Sequence, residues 1–459
     1  MAQGWQSSVN QRVELPEDAQ LPGLAVMLDQ DLVASVFSEH LDGQYAEFGR
    51  SEIRYVRYKR STSCIIAYAL DYPFDLPAGG RQLLLYGKLY TDADYENAAA
   101  KARVHRWIEL PGTRPVVDLP EQRCLMYLFP NDCVIEGLRL LSDPKKIQRL
   151  LYQYLEQYPE TRWRISDRKL RLVVTRYKPE RRAVLRCETR AVNRRSGERQ
   201  PLSVYLRIYG DKRGAEVFAV QQSLWDYTKT SKTLTVPKPL GYLPDRELLL
   251  METIQGRPLL EALTDRGDTD CVTCTAQALA ELHRHVTAAA TSKQIAEYLQ
   301  EAIATAQMLE SILPHAKDEL NGIGAALLTS ARALKACPQA FAHGDFYYGQ
   351  VLLDGDRVGI IDFDRAHAGE ALADVGNFCA HLRNLILEGR LSETYGRHLE
   401  NVFVEAYTEA TGRQISPTVL TFWTGLCLLM LAVGPFRRVE PLWPSKTESI
   451  IQQCLSTLT

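Results

Sequence analysis

The chain has 459 residues, 46% hydrophobic and 24% charged, with a formal net charge of −2 at pH 7. That length exceeds what one hydrophobic core organises and points to two or three units. The small net charge excludes a general electrostatic pull toward nucleic acid or an anionic membrane.

The N-terminal stretch MAQGWQSSVNQRVELPEDAQ lacks a basic patch followed by an apolar core, so no signal peptide is expected. A short amphipathic helix is predicted over Asp31 to His40, within a lead-in of residues 1–50. The following sequence then repeats itself weakly. Arg57-Tyr58-Lys59 followed by Cys64-Ile65-Ile66-Ala67-Tyr68 matches Arg176-Tyr177-Lys178 followed by Ala183-Val184-Leu185-Arg186-Cys187. Tyr86-Gly87-Lys88-Leu89-Tyr90 matches Tyr205-Leu206-Arg207-Ile208-Tyr209. Helical stretches follow, Tyr95 to Trp107 and Ala215 to Trp225, then apolar strands at Arg123 to Leu128 and Glu247 to Glu252. Each copy therefore reads β-β-β-α-β-β. The predicted division is a lead-in (1–50), a first lobe-like unit (51–160) closed by a helix from Pro144 to Gln157, a second lobe (161–255) and a mainly helical remainder (256–459).

Residues 162–199 hold twelve arginines and two lysines against four acidic residues. Few aromatics accompany them, so solvated faces of a long hairpin are expected rather than a nucleic-acid surface. Ten cysteines follow no framework spacing. Cys271 and Cys274, after Asp268-Thr269-Asp270, form one C-x-x-C; buried thiols in a reducing cytoplasm are expected rather than a zinc or redox site. Val419 to Phe436 runs without a charge. Its interruption by Thr421, Thr424 and Gly425 and its Gly434-Pro435 end predict a buried helix rather than a membrane span.

Chemistry concentrates in His343-Gly344-Asp345-Phe346-Tyr347-Tyr348-Gly349-Gln350 and in Ile360-Ile361-Asp362-Phe363-Asp364. Val351-Leu352-Leu353 reads as a strand, Asp354-Gly355-Asp356 as a turn and Val358 to Ile361 as the returning strand. That hairpin brings Gln350 and Asp362 to the same end of two paired strands. A carboxylate for an acceptor hydroxyl, with an amide and a carboxylate for magnesium, is the set that kinase-type phosphoryl transfer requires.

HGDFYYGQVLL and IIDFD, with Ala373-Asp374-Val375-Gly376-Asn377-Phe378 behind them, resemble the aminoglycoside phosphotransferase and choline kinase superfamily over residues 168 to 440. Most members carry Asn where this chain has Gln350. The Gln form is most similar to bacterial maltokinases and related glucosamine kinases, and it keeps the amide oxygen one methylene further out. The resemblance implies an α+β, bilobal protein-kinase-like fold with a β-rich small lobe, a mainly helical large lobe and an extra amino-terminal lobe-like unit. It implies ATP and Mg²⁺ as cofactors, Asp345 as catalytic base, and Gln350 and Asp362 on the metal. Asp364 either adds to the metal site or only forms a turn. His343 braces the loop, and Asp374 supports it from the following helix.

Kinase lobes place a Lys on the third strand, paired with a Glu on the next helix. Here those positions hold Arg207 and Glu216; Lys212 is an alternative phosphate ligand. The first unit offers Lys88 and Glu96, for which a surface salt bridge is expected. Lys178-Pro179-Glu180-Arg181-Arg182 stands where a glycine-rich loop is usual, and its amides, Arg181 or Arg182 are candidates to cover phosphates. Glu252 and Ile254 resemble the hinge that presents backbone groups to an adenine edge. Phe346, Tyr347, Tyr348, Phe422, Trp423, Glu440 and Trp443 are candidate acceptor contacts, with core packing as the alternative for each. The expected function is an ATP- and Mg²⁺-dependent cytoplasmic kinase acting on a hydroxyl of a sugar, amino sugar or related polyol, without nucleic-acid or membrane partners. An aminoglycoside-type antibiotic phosphotransferase and a regulatory pseudokinase are the alternatives. Oligomeric state is left open.

Overall fold

The computed structural model describes residues 17–43, 47–71, 82–110, 112–265, 269–287, 289–334 and 339–459. The first sixteen residues, most of the stretch read for a signal peptide, lie outside these, as does Asp268.

The chain opens with helices α1 (Leu24–Leu28) and α2 (Gln30–His40). The Asp29 carboxylate caps α2 by accepting the amides of Asp31 and Leu32 at 2.9 and 3.1 Å, which satisfies donors that a helix start leaves open. Strands β1 (Arg50–Lys59), β2 (Ser63–Asp71) and β3 (Gln82–Tyr90) follow, then helix α3 (Asp92–Val104) and strands β4 (Val116–Leu119) and β5 (Cys124–Leu128). They form one antiparallel sheet ordered β1-β2-β3-β5-β4. Strand β2 shows why it is apolar throughout. Cys64, Ile66, Tyr68 and Leu70 enter the core shared with the helical lobe, whereas Ile65 and Ala67 enter the core under α3. Successive side chains point to opposite faces, and both faces are covered.

After helix α4 (Pro144–Tyr154) come β6 (Trp163–Ile165), β7 (Arg171–Lys178), β8 (Arg182–Asn193), β9 (Arg199–Tyr209), helix α5 (Gly214–Thr228), β10 (Leu234–Thr235), β11 (Pro239–Leu243) and β12 (Leu248–Glu252). In the second sheet β7 pairs β8, and the path continues β8-β9-β12-β11. Five of its six strands thus have the same order as in the first sheet, β6 being an addition that also pairs β8, and the correspondence reaches single residues. Arg57, Ile65, Lys88 and Leu125 form one cross-strand row; Arg176, Val184, Arg207 and Leu249 form its counterpart. Both first hairpins turn through a left-handed residue, Ser61 (φ 51°) and Glu180 (φ 61°). In each, an upstream aspartate accepts the turn amide and a tyrosine hydroxyl: Asp18 from Ser61 and Tyr58, Asp132 from Glu180 and Tyr177.

The helical lobe contains β13 (Arg257–Pro258), α6 (Leu259–Thr264), α7 (Asp270–Leu282), α8 (Ile295–Ile312), α9 (Lys317–Ala333), β14 (Ala340–Ala342), β15 (Val351–Asp354), β16 (Arg357–Ile360), β17 (His367–Gly369), α10 (Ala371–Leu387), α11 (Glu393–Thr411), α12 (Pro417–Leu431), α13 (Gly434–Arg437) and α14 (Trp443–Leu458). The uncharged segment is α12 with α13. Pro417–Arg437 has a mean hydropathy of 1.9 and is long enough to cross a membrane, but 67% of that window is buried in the protein. Its partners are α10 and α14, and Gly376 of α10 permits the close approach, since a Cβ there would lie 2.5 Å from Trp423 Cβ. Phe422, Trp423, Trp443 and Phe346 are fully buried core residues, which removes them as acceptor contacts. Glu440 is held by Arg438 and Lys446 at 2.6 and 2.8 Å. The architecture is an α+β, two-lobed kinase-like fold with a second, lobe-like sheet unit before it.

Candidate active site

The loop between β14 and β15 carries Asp345, and its shape is set from beneath by Asp374 in the first turn of α10. The buried Asp374 carboxylate accepts the amides of His343 at 2.6 Å and Gly344 at 2.9 Å, and His283 Nε2 at 3.1 Å. Burial opposes its ionisation, but these donors hold its carboxyl below the usual carboxylate range. Gly344 has φ +77°, and a Cβ there would collide with the Arg365 carbonyl, so the glycine between His343 and Asp345 meets both a backbone and a steric demand. His343 is fully buried. Its Nε2–H donates to the Ile361 carbonyl at 2.9 Å, and its Nδ1 accepts the Asp345 amide at 3.3 Å. The imidazole therefore staples the Asp345 loop to the segment carrying Asp362.

The hairpin forms as its sequence predicts, with Val351 opposite Ile360 and Asp354 opposite Arg357 around the two-residue turn Gly355-Asp356. Gln350 is buried, and its carbonyl accepts the Ile361 amide at 3.0 Å. The register thus sets Gln350 opposite Ile361, the residue before Asp362, where the strands end. Asp362 has the left-handed φ of 69°, a conformation that non-glycine residues seldom keep without surrounding support.

Two arginines grip the acidic pair. Arg207, on β9, contacts Asp362 Oδ1 at 3.0 Å and also Asp364 Oδ1. Arg182, the first residue of β8, reaches Asp362 at 3.3 and 3.4 Å and Asp364 as well. Tyr209 donates to Asp364 Oδ1 at 2.9 Å. The Asp364 side chain is only 2% exposed and lies within this cation cluster. Although buried, Asp362 is held well below the usual carboxylate range by Arg207, Arg182 and Arg176. Arg207 turns to the aspartates and forms no ion pair with Glu216, which lies in the first turn of α5. Lys212 is exposed in the loop before that helix.

Asp345 is half-buried and forms no ion pair among the described residues. Burial raises its carboxyl pKa, Arg365 and His343 draw it back, and the like charge of Asp362 raises it further. Beside it, the Tyr347 ring stacks on His381 with centroids 4.1 Å apart, and Tyr348 meets both edge-on. Gly349 makes room, since a Cβ there would lie 2.5 Å from the Tyr347 ring.

Sequence reading passed over Lys178. It is the cross-strand partner of Arg182 at the mouth of the β7–β8 turn. Burial, with Arg176 and Arg182 adding like charge, lowers its pKa to about 8, while Asp345 and Asp362 pull the other way. The signal was its place directly opposite Arg182 across a tight turn. A phosphate beside Lys178 would favour the charged form, so nucleotide affinity should weaken as pH rises through about 8. Titration calorimetry across that range checks this, and Lys178→Met should flatten the profile.

At the hinge, the Glu252 amide is already bonded to the Lys238 carbonyl at 2.9 Å, leaving Ile254 and the Glu252 carbonyl as groups for a base edge. Ile254 packs onto the hairpin: a Cβ on Gly359 of β16 would lie 2.8 Å from its Cδ1.

A hard divalent cation prefers oxygen donors. The residues here fit one: Asp362 is charged, its contacts to Arg182 are the longer ones, and Gln350 stands at the end of the neighbouring strand. Asp364 Oδ1 takes Arg207 and Tyr209, while its buried Oδ2 has no hydrogen-bond partner among the described residues, so Asp364 stays a candidate beside them. Among the described residues no cluster of three His, Cys, Asp or Glu side chains offers a rival site.

A β lobe facing a helical lobe, with a braced His-Gly-Asp loop and an acidic hairpin end between them, defines a kinase-like phosphotransferase. The chain belongs to the phosphotransferase enzyme family whose model, APH, matches residues 156–412. No curated protein matches it. Among solved structures it is similar to aminoglycoside phosphotransferase APH(4)-Ia (13% identity, 69% of this chain and 98% of that one, TM-score 0.47). It is also similar to choline kinase from Cryptosporidium parvum Iowa II (13%, 69% and 95%, TM-score 0.46). A choline/ethanolamine kinase family protein from Mesorhizobium loti gives 15%, 59% and 84%, with a TM-score of 0.39. Likenesses this distant say nothing about the acceptor.

Proposed function

We propose that this phosphotransferase moves the γ-phosphate of ATP, with Mg²⁺, to a hydroxyl of a small molecule. The observation that carries this reading is the His343 staple. It holds the free carboxylate of Asp345 beside the Gln350–Asp362 strand end, where acceptor and phosphates would meet. Asp345 orients the hydroxyl and accepts its proton. Lys178, Arg182 and Arg207 supply positive charge on the small-lobe side, and a buried Arg fork suits phosphate oxygens. Asp362 and Gln350 would hold the ion, in place of the Arg182 guanidinium; when bound, it would neutralise phosphate charge. Ile254 and the Glu252 carbonyl would take the adenine.

A sugar, amino sugar or related polyol is the acceptor class we favour. The support is the similarity of the Gln350 loop to maltokinases and glucosamine kinases, and the Tyr347–His381 stack beside Asp345, a surface on which a sugar ring can rest. Arg365 and Arg176 lie within electrostatic reach of Asp345, and Arg390 and Arg438 near Tyr348 against Glu388. Arg365 and Arg438 are themselves paired with Glu301 and Glu440, so the acceptor preference rests on the loop and the ring stack and not on charge at the mouth.

Two guanidiniums already on the metal-side carboxylates favour one other reading, a regulatory nucleotide binder that dispenses with metal. The two separate by thermal-shift titration of ATP with and without Mg²⁺. The kinase reading expects Mg²⁺ to raise ATP stabilisation in the wild type and not in Asp362→Ala. Equal stabilisation with and without Mg²⁺ in the wild type would instead support the regulatory reading. Product formation from ATP and a panel of neutral and anionic sugars then tests turnover.

A further inference from the structure

The duplicated first sheet carries its own cation row, and in the fold that row is occupied. Lys88 Nζ lies 2.7 Å from Glu180 Oε1, and Arg57 lies 2.7 Å from Glu180 Oε2. Glu180 is the left-handed residue at the tip of the β7–β8 turn, in the next unit of the chain. Cys133 Sγ also approaches Oε1, at 3.1 Å, and the Asp132 carboxylate takes the Glu180 amide at 2.9 Å. The Glu180 side chain is 10% exposed, and those of Arg57 and Lys88 are 17% and 21% exposed. Desolvated charge pairs of this kind hold geometry far better than surface pairs. Lys88 thus does not make the surface bridge to Glu96 that its spacing suggests.

The arrangement mirrors the working lobe. There Arg207, in the same place of the cross-strand row, holds Asp362 and Asp364. In each sheet the third-strand cation grasps an acid supplied by the following unit. The first sheet's slot is therefore plugged by protein and is not a second nucleotide site. What it grips is the turn whose two flanking residues, Lys178 and Arg182, face the acids of the active site.

We infer that Glu180 is a positioning residue, and that the first unit, through Arg57 and Lys88, fixes the phosphate-covering turn so that Lys178 and Arg182 are aimed at the nucleotide. This rests on the kinase reading above. Neither Arg57 nor Lys88 contacts the active-site acids; Lys88 acts through Glu180, and Arg57 through Glu180 and, at 3.5 Å, the Pro179 carbonyl of the same turn. The backbone on the far side is equally fixed, since the Gly210 amide donates to the Arg181 carbonyl at 2.7 Å and a Cβ on Gly210 would strike the Glu180 carbonyl. Releasing Glu180 therefore loosens the turn from one side only, and the sheet persists.

The test measures ATP affinity by calorimetry, and the KM for ATP and kcat where turnover is established, in wild type, Lys88→Met, Glu180→Gln and the double variant. A positioning role expects ~10-fold weaker ATP binding in each single variant and a KM for ATP raised in step. It also expects kcat and the acceptor KM to stay near wild type, and the double variant to be no worse than the singles because both break one link. A merely structural role would instead lower the melting temperature and the active fraction while leaving ATP affinity unchanged, and this result would overturn the proposal. Should Lys88→Met fail to fold, Glu180→Gln, which preserves shape, decides. Tight ATP binding by the wild type with unaltered binding in the variants defeats the positioning role alone. No ATP binding by the wild type defeats the kinase reading, and this inference with it.

Discussion

Asp345→Asn should lower turnover by about 10³-fold while leaving ATP affinity close to wild type. The substitution keeps size and hydrogen-bonding reach but removes the base and the charge that orients the acceptor hydroxyl. Asp345 makes no ion pair among the described residues, so its loss strips no cation of a partner and the fold should keep its melting temperature. Its pH behaviour gives a second readout. Burial raises the carboxyl above the ordinary aspartate value, and the neighbouring Asp362 charge adds to this against Arg365 and His343. The base works deprotonated, so kcat should fall as pH drops through that raised pKa, at higher pH than an exposed aspartate would require. The acid limb should vanish in Asp345→Asn. Turnover at the normal rate in this variant would remove Asp345 from the chemistry.

Asp374→Ala should be the most damaging single change to the fold, costing about 3–5 kcal/mol. Asp374 is 1% exposed and gathers three donors, two of them backbone amides of the Asp345 loop. Its removal leaves the His343 and Gly344 amides and His283 Nε2 buried without an acceptor, and each such orphan costs about 1–3 kcal/mol. The His283 ring, whose Nδ1 meets the Tyr407 hydroxyl at 2.7 Å, would lose the link that ties α7 and α11 to the loop. Denaturant unfolding should show a lowered midpoint. Any folded fraction should also turn over poorly, because the support under His343 and Asp345 is gone. Asp374→Asn should be milder, since its carbonyl oxygen still accepts one amide. Wild-type stability in Asp374→Ala would show that the loop is held by other means.

The acidic pair illustrates how one motif meets two surroundings. Asp362 and Asp364 stand two residues apart, yet Asp362 keeps its longer contacts to Arg182 at the strand end, whereas Asp364 is enclosed by Arg207, Arg182 and Tyr209. The left-handed backbone at Asp362 turns the chain between them, so the two carboxylates approach the same cations from different sides.

Much of this was readable in the chain itself. The glycine between His343 and Asp345, the two-residue turn at Gly355-Asp356 and the return of the Arg-Tyr-Lys pattern at residue 176 are local signals. Backbone sterics and strand periodicity translate them directly into a loop, a hairpin and a duplicated sheet. The uncharged run at residues 419–436 likewise announced a buried helix through its threonines and its Gly-Pro end. The partners of charged side chains were not readable. Lys88 and Glu96 have the spacing of a kinase Lys–Glu pair, as do Arg207 and Glu216, but spacing along one strand and helix does not specify what approaches from another unit. Glu180 and Asp362 arrive from ninety-two and 155 positions further along the chain. A desolvated cation takes whichever carboxylate the packing of lobes delivers. Aromatic side chains behaved the same way: Tyr347 lines the site and Phe346 the core, although they are adjacent, because burial depends on which face the assembled helices cover. The chain alone determined the elements and the candidate reacting groups; the docking of one lobe on the next decided which charges meet.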